Sequence, residues 1–160
     1  MLAPVGADSV LAPLDDEPKT YTMEVILDSG ATDHVASRHE LPGYAVRPSF
    51  RSREGLHYAG ASGHEIVNEG ETDVVMGLPG EKGKKVKCDN TFQIAKVSKP
   101  LMSVPRICAA GLDVLYRKDE AVILDPEHFV VGRFPKKRGL YMADVEIDNP
   151  RHPGFHRQAK

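Results

Sequence analysis

The sequence predicts an all-β fold, a small, closed and mostly antiparallel barrel with one short helix. Roughly nine short segments carry apolar residues, either in runs or in alternation with polar ones. The 14 glycines and 12 prolines are spread through the chain and separate these segments, which is typical of short strands joined by tight turns. With 160 residues, 41% of them hydrophobic, the chain is long and apolar enough for one domain with a packed core.

The first predicted strand, residues 21–27, ends abruptly at the turn Asp28-Ser29-Gly30. Its apolar and β-branched residues are typical of a buried strand, which would place one carboxylate at a tight turn. Gly30 allows the backbone to turn there and another group to approach closely. Taken alone, the turn has two interpretations: a reactive carboxylate, or an ordinary turn in which the aspartate caps the backbone.

The middle of the chain predicts a hairpin followed by further strands. Residues 56–67 contain two strand-like pieces around a tip of Gly, Ala and Ser, which is the signature of a β-hairpin. Residues 71–76 and 91–97 are predicted strands. The lysine-rich stretch between them, residues 78–87, is predicted to be a flexible exposed loop.

The last third predicts one helix and then four strands. Residues 105–110 begin with a proline and are followed by Gly111, which is typical of a short helix. Four apolar segments with turn residues between them follow as strands. These strands are residues 112–116, 121–124, 129–134 and 139–147.

The domain is predicted to cover residues 20–147. Residues 1–19 carry three prolines and an acidic cluster, and they are interpreted as a flexible linker or a polyprotein junction. Residues 148–160 are polar and contain two prolines, which predicts a flexible tail.

Charge and cysteine content narrow the class of protein. The net charge of −2 argues against a nucleic-acid or membrane-binding surface, and no membrane span or signal peptide is expected. Cys88 and Cys108 are not part of a C-x-x-C pattern and have no histidine beside them, so we expect reduced thiols and no metal or cofactor. The expected location is intracellular, in the cytoplasm or in a virus-like particle.

The Asp-Ser-Gly turn occurs once in the chain. Hydrolysis of a peptide bond by aspartates needs two carboxylates that share a proton and titrate as a unit. The ionised member activates a water and the protonated member polarises the peptide carbonyl. A single copy therefore predicts that a second chain supplies the other carboxylate, in a symmetric homodimer.

Residues 20–145 resemble the retropepsins, specifically the protease domain of copia-type LTR retrotransposon polyproteins. The resemblance rests on landmarks that follow one another in the family's order. They are the segment 26–32 with His34 after it, the hairpin tip at 59–63, the segment 101–104 with its short helix and Gly111, and the closing Gly139-Leu140-Tyr141.

The resemblance implies an aspartic endopeptidase with a retropepsin-type barrel, acting as a homodimer on a retrotransposon polyprotein with an activated water and no metal or cofactor. It implies that Asp28 is catalytic and that Ser29 and Gly30 support its turn. Activity is expected to show a bell-shaped pH dependence on the acidic side of neutral. The residues implied to contact the polypeptide substrate are Ala31, Thr32 and Asp33 after the turn, and Ala59, Gly60, Ala61, Ser62 and Gly63 in the hairpin, which would act as a flap.

The chain departs from the family pattern in ways that leave alternatives open. Thr32 stands where many retropepsins have an aspartate that holds the substrate backbone, and Asp33 is one position away. Ser103 stands where many have glycine, although copia-type elements also carry serine. His34 is interpreted as a satisfied polar residue near the turn, with metal binding as the alternative. The alternatives for function are a catalytically decayed retropepsin-like domain used for dimerisation or interaction, and an unrelated β-barrel binding module.

Overall fold

The computed structural model describes residues 17–60 and 62–155, and this part of the chain is mostly β, as predicted. The helices in these ranges are α1 (Phe50–Arg53) and α2 (Val104–Ala109), with two 3-10 helices at Arg38–Glu40 and Glu81–Gly83. The strands are β1 (Thr20–Asp28), β2 (Val35–Ala36), β3 (His57–Ala59), β4 (Glu65–Val67), β5 (Gly70–Pro79), β6 (Lys85–Ile94), β7 (Leu101–Ser103), β8 (Asp113–Tyr116), β9 (Glu120–Leu124), β10 (Val130–Lys137) and β11 (Leu140–Asp148).

Nine of these strands form one sheet in the order β1-β7-β2-β6-β5-β11-β10-β9-β8, and β3 pairs with β4 as a separate hairpin. Most pairs are antiparallel, but β1–β7 and β2–β6 are parallel. Because β1 also pairs with β11, the first six strands of this order follow one another in a ring of pairings. Strands β10, β9 and β8 extend from that ring, so the prediction of a closed barrel is met only in part.

The core lies between the inward faces of these strands. In β1, Met23, Val25 and Leu27 are buried while the residues between them are more exposed, which is the two-residue period of a strand with one face covered. On the paired β11, Val145 and Ile147 are buried in the same cluster. The core is largely aliphatic, and each fully buried large side chain contributes about 1.5–3 kcal/mol relative to its exposed state.

The predicted loop at residues 78–87 is instead mostly strand. Strands β5 and β6 pair without interruption from Gly70↔Ile94 to Pro79↔Lys85, so only residues 80–84 connect them. Leu78 is 4% exposed and belongs to the core, while Lys85 and Lys87 are exposed on either side of Val86. Alternation of lysine with an apolar residue is a strand pattern, and the number of lysines concealed it.

The two helices have clear capping. In α2, the predicted helix, Ser103 is the N-cap and its side chain accepts a hydrogen bond from the Arg106 N–H. Gly111 follows with φ of +92°, a conformation that suits glycine after a helix end. Helix α1 was not predicted. It starts at a capping box in which Ser49 and Ser52 bond to each other's backbone N–H groups.

Several described residues outside the predicted domain pack against it. The Asn149 side chain donates to the Pro18 carbonyl at 2.8 Å, and its backbone N–H donates to the Lys19 carbonyl at 2.9 Å. The Phe155 ring meets Tyr44 edge-on at a centroid distance of 6.2 Å. The packed unit therefore includes residues 17–19 and 149–155. The rest of the predicted linker and tail, residues 1–16 and 156–160, lies outside the described residues.

None of the helices within the described residues is long and apolar enough to cross a membrane.

Candidate active site

The Asp28 turn follows directly from the end of β1. Strand β1 pairs in parallel with β7, and the last two pairs are Leu27↔Met102 and Asp28↔Ser103. The Gly30 N–H donates to Asp28 Oδ1 at 2.8 Å, which fixes one oxygen of the carboxylate at the start of the turn. Asp28 is half-buried, whereas Ser29 and Gly30 are exposed.

Ser103 on β7 ties down the chain after this turn. Its hydroxyl donates to the Ala31 carbonyl at 2.6 Å, and its backbone N–H donates to His34 Nδ1 at 2.9 Å. Ser103 is completely buried, so these bonds are shielded from water and rigidify the segment 31–34. Ser103 therefore has a specific structural partner on the segment that follows the Asp28 turn.

His34 is neutral in this arrangement because its Nδ1 must be unprotonated to accept from Ser103. Burial and, to a smaller extent, the positive charge of Arg106 lower the pKa of His34 to about 4, against the opposing charge of Asp33. The described residues contain no group of three or more His, Cys, Asp or Glu side chains placed to hold a metal. These contacts favour the interpretation of His34 as a satisfied polar residue beside the turn.

A cavity of about 320 Å³ opens between the Asp28 turn and the hairpin. Of the residues predicted to contact substrate, Ala31, Thr32, Asp33 and Ala59 line it. Its walls also include apolar residues that sequence reasoning did not select. The described lining consists of Asp28, Gly30, Ala31, Thr32, Asp33, Val35, Tyr58, Ala59, Ile66, Val97 and Leu101.

The hairpin β3–β4 stands over this cavity. Tyr58 and Ile66 form a cross-strand pair, and both side chains line the cavity. Beyond them the tip is closed by backbone bonds from Gly60 N–H to the His64 carbonyl and from Gly63 N–H to the Gly60 carbonyl, each 2.9 Å. Of the predicted flap residues, Gly60, Ser62 and Gly63 thus lie at the tip, and Ala61 lies outside the described residues.

Asp33 is only 4% exposed, and both of its carboxylate oxygens accept hydrogen bonds from side chains. Its Oδ1 accepts from the Arg106 guanidinium at 2.7 Å, and its Oδ2 accepts from Arg51 Nε at 2.8 Å and from the Tyr58 hydroxyl at 3.0 Å. Burial opposes ionisation, but the bonds from Arg106 and Tyr58 and the charge of Arg51 outweigh it, so the pKa of Asp33 lies below its usual value. Both carboxylate oxygens are thus held by donors of the chain itself.

A buried amide connects the hairpin to the sheet. Asn68, 4% exposed, accepts from the Ser49 hydroxyl at 2.9 Å and donates to Gln93 Oε1 at 2.9 Å and to the Tyr58 hydroxyl at 3.3 Å. Burial and the neighbouring charge of Asp33 raise the pKa of Tyr58, so this hydroxyl stays protonated and donates. The bonds join the base of the hairpin to the N-cap of α1 and to β6, and through the Tyr58 hydroxyl to Asp33.

The two carboxylates of the cavity differ in their ion-pair partners. Asp33 forms ion pairs with Arg51 and Arg106, and within the described part of the chain no ion pair involves Asp28.

Sequence reasoning missed the residues that surround these carboxylates. Arg51, Asn68 and Arg106 are distant from one another along the chain, and only the fold brings them to the site. The Ser49-x-x-Ser52 spacing could have indicated α1 and hence the position of Arg51. Tyr116 on β8 was also missed: burial raises its pKa, and the charge of Asp28 contributes to the same shift, which places Tyr116 within electrostatic reach of Asp28.

Comparison with protein-family models found no matching family, and searches of curated proteins and of solved structures found no match.

Proposed function

We propose that this chain is an aspartic endopeptidase of the retropepsin type that acts as a homodimer and cleaves a retrotransposon polyprotein. The observation on which the proposal mainly rests is the position of Asp28. It ends a buried strand, it is fixed by the Gly30 N–H, and it faces a cavity roofed by a hairpin. The resemblance of residues 20–145 to copia-type protease domains supplies the retropepsin type and the polyprotein substrate.

The different partners of the two cavity carboxylates support a structural role for Asp33 and a catalytic role for Asp28. Asp33 forms ion pairs with two arginines, which suits a structural carboxylate that stays ionised. Asp28 lacks such a partner in the described residues and is half-buried, which suits a carboxylate that shares a proton with a like group. Because the motif occurs once, the like group is proposed to be Asp28 of a second copy.

In the proposed mechanism, the two Asp28 carboxyl groups hold one proton and one water between them. The ionised group takes a proton from the water as its oxygen attacks the peptide carbonyl, and the protonated group donates to the carbonyl oxygen. Collapse of the tetrahedral intermediate transfers a proton to the leaving amine and restores the shared proton. The hairpin, with Tyr58 and Ile66 facing the cavity, excludes bulk water during these steps.

The lining of the cavity supports an extended peptide as substrate. Val35, Ile66, Val97 and Leu101 offer apolar contacts for side chains, and the backbone of the segment 31–33 offers hydrogen-bonding groups beside Asp28. This combination of an apolar wall with a few polar groups is usual for sites that bind peptides and similar ligands.

The test is cleavage of a peptide pool by the full chain and by Asp28→Asn, followed by mass spectrometry. Asparagine keeps the size of the side chain but cannot act as a base, so cleavage should fall by at least about a thousandfold. A statine-type transition-state analogue should inhibit the parent protein. The matched control is Asp144→Asn, an exposed aspartate of β11 on the strand paired with β1, which should retain full cleavage.

Cleavage by Asp28→Asn at the parent's rate would disprove the proposed mechanism. A parent protein that is folded and dimeric but cleaves nothing would instead support the decayed retropepsin-like domain, whose function is dimerisation.

A further inference from the structure

A second groove runs along strand β4 of the hairpin and adjoins the cavity that Asp28 faces. Its volume is about 560 Å³. Ile66 lines both spaces, and the neighbours Lys96 and Val97 line the groove and the cavity respectively. A polypeptide chain that occupies the cavity therefore has a continuous path past Ile66 into the groove.

The groove continues beyond the hairpin. Glu69 and Lys96 also line a neighbouring space of about 580 Å³, whose other walls come from the segment 37–44 and from Arg151. The two spaces form one open trough that extends from the hairpin to Arg151, and it is called the outer groove below. The outer groove is defined by Ile66, Val67, Glu69, Lys96, Arg38 and Arg151.

Strand β4 presents an open edge to the outer groove. In the described part of the chain β4 pairs only with β3. Among the described residues, those of β4 line the groove and those of β3 do not, so the groove follows the edge of β4 that faces away from β3. Such an edge carries unpaired backbone N–H and C=O groups, and an extended peptide can add to it as a further strand. Val67, which is 57% exposed, offers an apolar contact beside this edge.

The positive charges of the outer groove exceed those that its own carboxylates pair with. Glu65 contacts a histidine of β3 at 2.7 Å, and Glu69 contacts Arg38 at 3.5 Å. Lys96 and Arg151 are exposed, and neither forms an ion pair with any described residue. The charge left without a partner in the groove is therefore positive, which is complementary to carboxylates on a ligand.

We infer that the outer groove binds an acidic segment of the polypeptide substrate, extended along β4, with its carboxylates at Lys96 and Arg151. The inference rests on the proposed function, because it assigns the segment to the polypeptide that is cleaved at Asp28. The segment lies away from the cleaved bond, since the groove and the cavity are separate spaces that meet at Ile66. Binding there adds affinity for the substrate and leaves the reacting atoms untouched.

The other edge of the hairpin is less suitable for an acidic segment. The space along β3 has a volume of about 380 Å³, and its lining consists of residues 55–59 with Gly63 and Glu65. Within the described residues this lining contains no lysine or arginine, so it offers no permanent positive charge. The lysines of the β5–β6 connection are charged, but they line neither the outer groove nor the cavity.

The first experiment measures binding without cleavage, by fluorescence anisotropy on the full chain carrying Asp28→Asn. Two labelled peptides of about eight residues are compared, one alternating valine with glutamate and one alternating valine with glutamine, so that the polar residues share one face of a strand. The glutamate peptide is expected to bind at least about tenfold more tightly, and Lys96→Glu or Arg151→Glu to weaken its binding at least about tenfold. Lys84→Glu, the same change at an exposed lysine outside the groove, should leave binding within about twofold. Because all three side chains are exposed, the variants should fold, which circular dichroism checks.

The second experiment connects the outer groove to cleavage by the parent chain. The best substrate of the peptide pool is extended, at either end in separate peptides, by the valine–glutamate or the valine–glutamine sequence. At one end or both, the glutamate extension should give a KM at least about fivefold below that of the glutamine extension, with kcat within about twofold. Lys96→Glu should abolish this difference and Lys96→Arg should keep it, while neither changes the KM of the unextended peptide.

The outcomes separate this inference from the proposed function. Equal binding of the two peptides, or binding that neither Lys96→Glu nor Arg151→Glu weakens, would overturn the acidic segment and leave the endopeptidase intact. Binding of the glutamate peptide through Lys96 by a chain whose parent form cleaves no peptide would overturn the proposed function, and with it the assignment of the segment to a substrate.

Discussion

The backbone N–H of Ser103 donates a 2.9 Å hydrogen bond to Nδ1 of His34. Ser103 ends strand β7, and His34 directly precedes strand β2. Ser103 is completely buried and His34 is 6% exposed, so the bond lies in a region without competing water. It requires a histidine that is neutral and unprotonated on Nδ1. The segment 31–34 is therefore held by a side chain that accepts this hydrogen bond only while it is neutral.

The first prediction concerns the pH dependence of stability. The pKa of His34 is lowered to about 4 by burial and by Arg106, whereas an unfolded histidine has a pKa of about 6.5. Between these values the unfolded chain binds more protons, so the free energy of unfolding decreases as the pH falls from about 6.5 towards about 4. We expect a loss of about 2 kcal/mol between pH of about 7 and about 5, measured by urea unfolding.

The variant His34→Gln isolates this effect, because its amide oxygen can accept a hydrogen bond but does not titrate. Its stability should change little with pH over the same window. His39→Gln is the control, since His39 is exposed and the variant should keep the parent's dependence. A parent protein whose stability is flat from neutral pH down to about 5 would contradict the role assigned to His34.

The second prediction concerns the hydroxyl of Ser103. It donates to the Ala31 carbonyl and accepts from the Arg106 N–H at the start of α2. Ser103→Ala removes both bonds in a fully buried position, so the free energy of unfolding should fall by about 1–2 kcal/mol. Ser98→Ala, at an exposed serine before β7, should change it by less than about 0.5 kcal/mol. Equal effects of the two changes in thermal melts would show that the Ser103 bonds contribute nothing specific.

The strands and helices were predictable from the sequence where the local apolar pattern agrees with burial in the structure. Strand β1, the hairpin and helix α2 were predicted within one or two residues, because apolar periodicity and turn chemistry indicate them directly. The β5–β6 connection was not, because its four lysines have the composition of a loop, although Val86 lies between Lys85 and Lys87 as in a strand. The ring of pairings from β1 round to β11 depends on contacts between distant segments, which no local pattern reveals.

The site was predictable only along its first segment. Asp28 and its turn follow from one continuous stretch of sequence, and the structure places them beside a cavity. The partners of Asp33 come from α1, the hairpin and α2, and arginines in such short helices have no feature that marks them as ion-pair partners. A buried ion pair forms only when distant segments of the fold come together. The sequence therefore predicts Asp33 as a substrate contact and does not indicate its pairing with two arginines.

The third prediction concerns the pairing of Asp33 with Arg106. Asp33→Asn leaves two guanidinium groups beside a neutral amide, and the loss should be about 1–3 kcal/mol in the free energy of unfolding. This estimate is below that for fully buried pairs, because the Arg106 side chain is 60% exposed and that of Arg51 is 35% exposed. A double-mutant cycle with Arg106→Gln should give a coupling of at least about 0.5 kcal/mol. Strictly additive single effects would argue against a direct pair.

The fourth prediction concerns the hydroxyl of Tyr58 at the base of the hairpin. Tyr58→Phe keeps the ring in the cavity but removes the bonds to Asp33 and Asn68. The hairpin should become less ordered over the site, so KM should rise several-fold while kcat changes by less than about threefold. Tyr21→Phe removes a hydroxyl bonded to the Pro42 carbonyl, outside the cavity, and should leave both constants unchanged. A fall in kcat with constant KM would instead place this hydroxyl in the chemical step.

The fifth prediction tests whether two chains share one active site. If each site needs Asp28 from both copies, Asp28→Asn chains will exchange into dimers and inactivate the parent chains they pair with. At a fixed amount of parent protein, an equal amount of Asp28→Asn should reduce cleavage to about one half, and a threefold excess to about one quarter, by random pairing. Cleavage that stays constant at a threefold excess of Asp28→Asn, in a protein shown to exchange subunits, would mean that each chain works with its own carboxylate alone.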